Sequence, residues 1–309
     1  MRILVMGAGA VGGYYGALLL QQGHVVTFVA RGAHLDALRT RGLAIRTAGQ
    51  TAVLQPVEAV STPSEDEAAD VVLFTVKGYD TEAAAGALRP VVGEGTVVLT
   101  LQNGVDSIEQ LGGILGPERI LAGPTTIEST VAEPGVIERT GPRPRIVLGE
   151  PAGGVTPRAE AVAAALRDAG VDVAVTADAR RVIWEKFVRL APGASLTTVC
   201  EATIGEVRET PEGAALYRAL ISEAVAVGRA AGVGFPPDAV DAALAFINGL
   251  PASMKTSMQR DFERRRRVEL ESLTGAVVRL GQKLGVPTPT FDTVYALLRV
   301  RALAFGGVS

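Results

Sequence analysis

Hydrophobic positions along this chain follow two patterns in turn. In the first part, short apolar runs are separated by turn residues and by stretches of helical period. Residues 2–6, "RILVM", form such a run. Gly7-Ala8-Gly9-Ala10-Val11-Gly12 follows, then an apolar periodic stretch that ends at Gly23, then a β-branched run over 25–29. This order predicts strand, glycine turn, helix, strand. "DVVLFTVKGYD" and "GTVVLTLQNGVD" are continuous apolar runs, the pattern of strands buried in a parallel sheet, and "TEAAAGALRPVV" between them reads as a helix. After "GVIERTGPRPRIVLGE", with its Gly and Pro residues, come an Ala-containing helix over 155–169 and a strand, "VDVAVT".

From Asp178 onward the pattern is almost wholly helical. The prediction is therefore an α/β fold: an N-terminal Rossmann-type dinucleotide-binding domain over 1–177 and a C-terminal all-helical domain over 178–309. The last long helix is expected over about 254–284, stopped by Gly285 and "VPTPT".

Composition narrows the functional classes. The 309 residues are 48% hydrophobic, ample for a core, and the net charge is −3. That charge argues against a general polyanion binder, and no uninterrupted apolar run approaches the roughly 18 residues that span a bilayer. Neither nucleic acid nor membrane is expected as a partner. One cysteine, Cys200, excludes an intrachain disulfide framework and reads as a small core residue. "MRILVMGAG" starts a strand at once, without a charged leader, so a cytoplasmic enzyme is expected. His24 and His34 have no ligand spacing, and no metal is expected.

The glycine turn carries the first chemistry. Between a strand and a helix, Gly7 permits the tight turn, Gly9 lets backbone approach a pyrophosphate and Gly12 allows close helix-to-strand packing. A purely structural glycine turn is the alternative. Gly7, Ala8, Gly9, Ala10, Val11 and Gly12 are the expected phosphate-binding residues. The second strand ends in "FVARGAHL", with Arg31 and no acid before Asp36, which favours NADP: a guanidinium pairs with a 2′-phosphate that an acid would repel. An ordinary surface arginine is the other reading. Lys77 and Asn103 follow the two later strands, on the side where ligands of open parallel sheets bind. Asn103-Gly104 is also a turn-forming pair.

The second candidate lies in "RRVIWEKFVRLA", residues 180–191. At about 100° per residue, Val182, Ile183, Phe187 and Leu190 span an arc of roughly 140°, with Lys186 inside it and Glu185 and Arg189 outside. Of the 30 Lys and Arg residues only Lys77, Lys186, Lys255 and Lys283 are lysines. A desolvated lysine, unlike an arginine, lowers its pKa and exchanges a proton near neutrality. Snorkelling of the ammonium from an apolar stem is the alternative.

The segments "GAGAVGGYYG", "TVKGYDT", "LQNGV", "WEKF", "SMQRDFERRRRVELESLTGAVVRLGQKLGVPTPT" and "YALL" resemble, in order and spacing, the ketopantoate reductase (2-dehydropantoate 2-reductase) family across essentially the whole chain. The resemblance implies hydride transfer from NADPH to the keto carbon of a 2-keto acid, giving a 2-hydroxy acid. It implies a catalytic pair, Lys186 and Glu269, with Glu269 also at the cofactor, and a substrate set of Asn103, Lys186 and Ser257. On one continuous helix, Ser257, Asp261 and Glu269 would share an arc of about 120°. A small-molecule substrate is the expected partner, and the helical domains of this family can pair, so a homodimer is possible.

The chain also departs from the family pattern. Asparagines that usually follow the catalytic lysine are replaced at Leu190 and Ala194, a later one aligns near Ile204, and Val268 stands where threonine is usual. A more apolar keto acid than ketopantoate is one consequence. An NADP-binding sensor or scaffold without turnover is another, against which stands the retention of a lysine in an arginine-preferring chain. "RRRR" at 264–267 cannot form one surface on a helix, since neighbours point about 100° apart, and reads as a solvated face.

Overall fold

The computed structural model describes residues 1–65 and 68–308. They fall into two compact units. The first comprises Met1–Gln102 and Ser107–Arg180, and the second Asn103–Asp106 together with the chain from Arg181 on.

The first unit is built on strands β1 (Arg2–Met6), β2 (Val25–Val29), β3 (Leu43–Thr47), β4 (Gln50–Leu54), β5 (Glu58–Val60), β6 (Val71–Phe74), β7 (Val97–Thr100), β8 (Ile120–Ala122), β9 (Thr125–Glu133), β10 (Val136–Leu148) and β11 (Asp172–Val175). Its helices are α1 (Ala10–Gln21), α2 (Gly32–Arg41), α3 (Thr81–Ala87), α4 (Ser107–Leu115) and α5 (Pro157–Asp168). Six strands form a parallel sheet in the order β5-β2-β1-β6-β7-β8. The period-2 pleat divides each central strand between two cores. In β1, Ile3 and Val5 join Tyr15, Phe28, Leu73 and Leu99 on one face. Leu4 and Met6 join Val72, Phe74, Leu88 and Leu111 on the other. Burial on both faces is why these strands read as unbroken apolar runs.

A second sheet, β11-β10-β3-β4 with β9 on β10, was not part of the sequence expectation. Its long strand β10 runs through "GPRPR", which local rules read as a break. The pairing with β9 shifts register between Thr140 and Arg145, so the glycine and prolines lie at an irregularity in the ladder, where the prolines' missing N–H donors cost little.

The second unit is helical among the described residues: α6 (Ala179–Cys200), α7 (Ile204–Arg208), α8 (Pro211–Ala230), α9 (Ala239–Asn248), α10 (Ser257–Glu263), α11 (Thr274–Leu284) and α12 (Pro289–Leu303). Trp184, Phe187, Tyr217, Leu220 and Phe291 are at the centre of its core. No helix among the described residues is long and apolar enough to cross a membrane.

Two expectations are corrected here. Cys200 is exposed, because α6 ends on it and Glu201 turns away with φ 55°, so it does not serve as core. The single helix expected over 254–284 is two helices, α10 and α11, with an irregular connection between them. α10 ends in a Schellman arrangement: Arg265 N–H donates to the Phe262 carbonyl (3.0 Å), Arg266 N–H to that of Asp261 (2.9 Å), and Arg265 is left-handed at φ 50°. No Gly or Pro announces this stop. Tertiary burial of Val268, Leu270 and Leu273 draws the connection inward and overrides helix propensity. The four arginines 264–267 are exposed, on this turn and not on a helix face. Glu269 therefore reaches its place from the connection, and the helical arc shared with Ser257 and Asp261 does not exist.

A non-glycine residue in the left-handed region costs about 1 kcal/mol. Arg265→Gly is accordingly expected to raise the thermal midpoint of unfolding by a few degrees; a lowered midpoint would show that the arginine side chain contributes more than its backbone costs.

Candidate active site

The turn between β1 and α1 carries the three glycines expected at a dinucleotide. Gly7 has φ 99°, and a Cβ there would lie 2.9 Å from Val76 Cγ1. A Cβ on Gly12 would collide with Thr75 Oγ1 and the Gly7 carbonyl, whereas one on Gly9 would meet nothing within 4 Å. The turn is thus closed against the sheet at its first and third glycines and open outward at the second, at the N-terminus of α1, a shape that accepts a pyrophosphate. Thr75 Oγ1 donates to the Gly7 carbonyl at 2.7 Å.

His34, which the sequence offered only as a non-ligand, holds the same turn. Its Nε2 lies 2.7 Å from the Ala8 carbonyl oxygen, and Gly135 N–H donates to its Nδ1 at 3.0 Å. These partners assign a neutral ring with the proton on Nε2. Burial, the largest influence, lowers its pKa and favours the same neutral form, while the bond to Ala8 acts the other way. Ala10 and Val11 are the first two residues of α1. Lys77 and Arg31 precede, respectively, the short turn Gly78–Asp80 and α2, and Arg31 is exposed.

The second unit holds the lysine. Lys186 Nζ donates to Asn103 Oδ1 at 2.8 Å. Burial brings its pKa from 10.5 down to about 8; the buried carboxylate of Glu269 opposes that shift and Arg189 adds to it. Lys186 shares a partly buried side of α6 with Val182, Ile183 and Leu190, while the core face of that helix is Trp184, Phe187, Val188 and Ala191; its ammonium is held by Asn103 instead of snorkelling out to water. Ser257 is the first residue of α10 and is partly exposed.

Asn103 is aimed at Lys186 by a backbone constraint and an ionic one. Gly104 has φ 103°, and a Cβ there would lie 2.9 Å from the Ser272 carbonyl oxygen, so only glycine lets the loop come this close. Arg279 Nη2 pairs with Asp106 at 3.2 Å, while its Nη1 donates to Glu271 at 2.8 Å. Tyr295 donates to the other oxygen of Glu271 at 2.7 Å. Arg279 thereby ties residues 103–106 to α11 and α12. Local pattern carries no sign of this role, because the ion pair joins positions far apart in the chain.

The positions of the replaced asparagines do not behave alike. Ala194 (1% exposed) and Ile204 (3%) belong to the packed core of the second unit, while Leu190 is partly exposed and lies one helical turn from Lys186 on the same face. Val268 is also buried in that core.

A dinucleotide cradle and a lysine that can give up a proton near neutrality are the equipment of an NAD(P)-dependent oxidoreductase. Comparison with known proteins narrows the class. The family model described as ketopantoate reductase PanE/ApbA matches residues 3–153, and that of its C-terminal domain matches residues 178–302. The chain is 36% identical to the 2-dehydropantoate 2-reductase of Archaeoglobus fulgidus, over 96% of this chain and 97% of that one. It is 32% identical to the Mesorhizobium japonicum enzyme of the same name, over 99% of each. The crystal structure of a PanE/ApbA family ketopantoate reductase from Ralstonia eutropha JMP134 superposes with a TM-score of 0.91 at 32% identity, covering 99% of this chain and 100% of the other. The chain belongs to the ketopantoate reductase family and is an oxidoreductase acting on a ketone.

If Arg279 holds Asn103 in place, Arg279→Ala should lower kcat for ketone reduction roughly tenfold through misplacement at the reacting centre, with cofactor KM little changed and partial rescue by Arg279→Lys. Steady-state kinetics of the two variants would refute this if kcat were unaltered.

Proposed function

We propose that the protein is an NADPH-dependent reductase that converts a 2-keto acid, ketopantoate or a more apolar relative, to the 2-hydroxy acid. The observation that carries this reading is the 2.8 Å bond from Lys186 to Asn103, with a lysine pKa near 8. The bound nicotinamide would supply the hydride. As it adds, negative charge builds on the keto oxygen, and the Lys186 ammonium stabilises that charge and donates the proton. Asn103 fixes the ammonium, and Glu269 favours its protonated form until transfer. Arg31 receives the 2′-phosphate, and Gly7, Gly9 and Gly12 shape the pyrophosphate site. Lys77 completes the cofactor set, and Ser257 the substrate set.

For the substrate, the useful departure is Leu190. Ala194 and Ile204 serve the core, but Leu190 puts an aliphatic side chain beside the proton donor. Burying apolar area gains about 25 cal/mol per Å², and an unpaired hydroxyl loses its water contacts, so a keto acid with an alkyl or aryl group in place of the ketopantoate hydroxyl fits this surface better.

The test is a panel of 2-keto acids, ketopantoate included, assayed with NADPH and NADH. Turnover of one of them, with NADPH preferred, is the expected result; no turnover of any would refute the reading. Because reduction consumes the protonated lysine, kcat/KM should fall about tenfold per pH unit above about 8. Glu269→Gln removes the charge that raises the lysine pKa, so this alkaline limb should move to lower pH. A rate independent of pH from about 7 to 9.5 would exclude Lys186 as the acid. Leu190→Asn should shift kcat/KM toward ketopantoate relative to its alkyl analogues, and an unchanged ratio would remove Leu190 from the substrate surface.

A further inference from the structure

The segment after β2 carries Arg31 and no acid before Asp36. The fold brings an acid to that arginine from elsewhere. Asp80, in the turn after β6, has its Oδ2 3.6 Å from Arg31 Nη1. The two residues flank β1 from opposite sides, since β2 and β6 are its neighbours in the sheet. Asp80 is also the N-cap residue of α3, a position where aspartate usually accepts a bond from its own helix, yet its side chain makes no cap bond. The carboxylate is turned toward the arginine, whose side chain is 68% exposed and open to a ligand.

We propose that Asp80 is a cofactor-discriminating residue: its carboxylate competes with a ribose 2′-phosphate for the Arg31 guanidinium and holds the preference for a phosphorylated dinucleotide below what Arg31 alone would give. This rests on the reading that Arg31 takes the 2′-phosphate. A phosphate on Arg31 must either displace Asp80 or share the guanidinium with a like charge, and both weaken it. The same carboxylate is the type of group that accepts a bond from the free 2′-hydroxyl of NADH. It does so ordinarily from the end of the second strand and here from the turn after β6. One acid therefore acts in opposite senses on the two cofactors.

The experiment is a fluorescence titration of NADPH and of NADH against the full chain and its Asp80→Asn, Asp80→Glu and Arg31→Ala variants. Asp80→Asn is expected to tighten NADPH binding by about two- to fivefold, the range of an exposed ion pair, and to leave NADH unchanged or weaker. Asp80→Glu keeps the charge and should hold the ratio of the two affinities near that of the unaltered protein. Arg31→Ala should weaken NADPH selectively. If Arg31→Ala left the ratio unchanged, the assignment of Arg31 would fail and the inference with it. If Arg31→Ala lowered the ratio while Asp80→Asn left it unchanged, or weakened both cofactors equally, the role of Asp80 alone would be overturned.

Discussion

The hydrogen bond from the Lys186 ammonium to Asn103 is the interaction around which the 103–106 loop of the helical unit is arranged. Withdrawing an ammonium from water is unfavourable, and the protein offsets this only in part. The charge of Glu269 favours the cation, while burial, the stronger influence, leaves it titrating near 8. A fully compensated lysine would hold its proton too firmly to act as an acid at neutral pH, and an uncompensated one would be neutral there. Asn103 is itself held at a fixed distance. The close approach of Gly104 to Ser272 and the contacts that run from Asp106 through Arg279 to Glu271 and Tyr295 hold it there.

Close approach is also the rule at the glycine turn. Gly7 and Gly12 are needed because the sheet leaves no room for a Cβ, whereas the position of a Cβ on Gly9 is open space. His34 adds a hydrogen-bonded brace from the Ala8 carbonyl to the backbone of Gly135. The parallel sheet beneath is buried on both faces, so the turn stands on a rigid base. In both units, polar groups of modest individual strength are held by packing, which lets a few hydrogen bonds define position.

Much of this was legible from local pattern. The parallel strands, the glycine turn, the helical second half and the placement of Lys186 on an apolar arc follow from periodicities that depend on backbone geometry alone. The family resemblance and the family models agree on the reaction class. The second sheet was not legible, because β10 carries Gly and Pro at a register shift that only its partner strand makes tolerable. The break between α10 and α11 was not legible either: nothing in "ERRRRVELESL" stops a helix locally, and the burial of Val268, Leu270 and Leu273 decides it.

By itself the sequence marked candidates for holding a dinucleotide and for exchanging a proton, through residue type and near-neighbour spacing. Tertiary structure decided the company each one keeps. It set Glu269 on an irregular connection, put Ala194 and Ile204 in the core and left Leu190 beside the lysine, and it brought Asp80 to Arg31 and Arg279 to Asp106. Charges act through space and side chains pack through space, so a pKa, an ion pair or a pocket wall depends on distances that chain order does not contain.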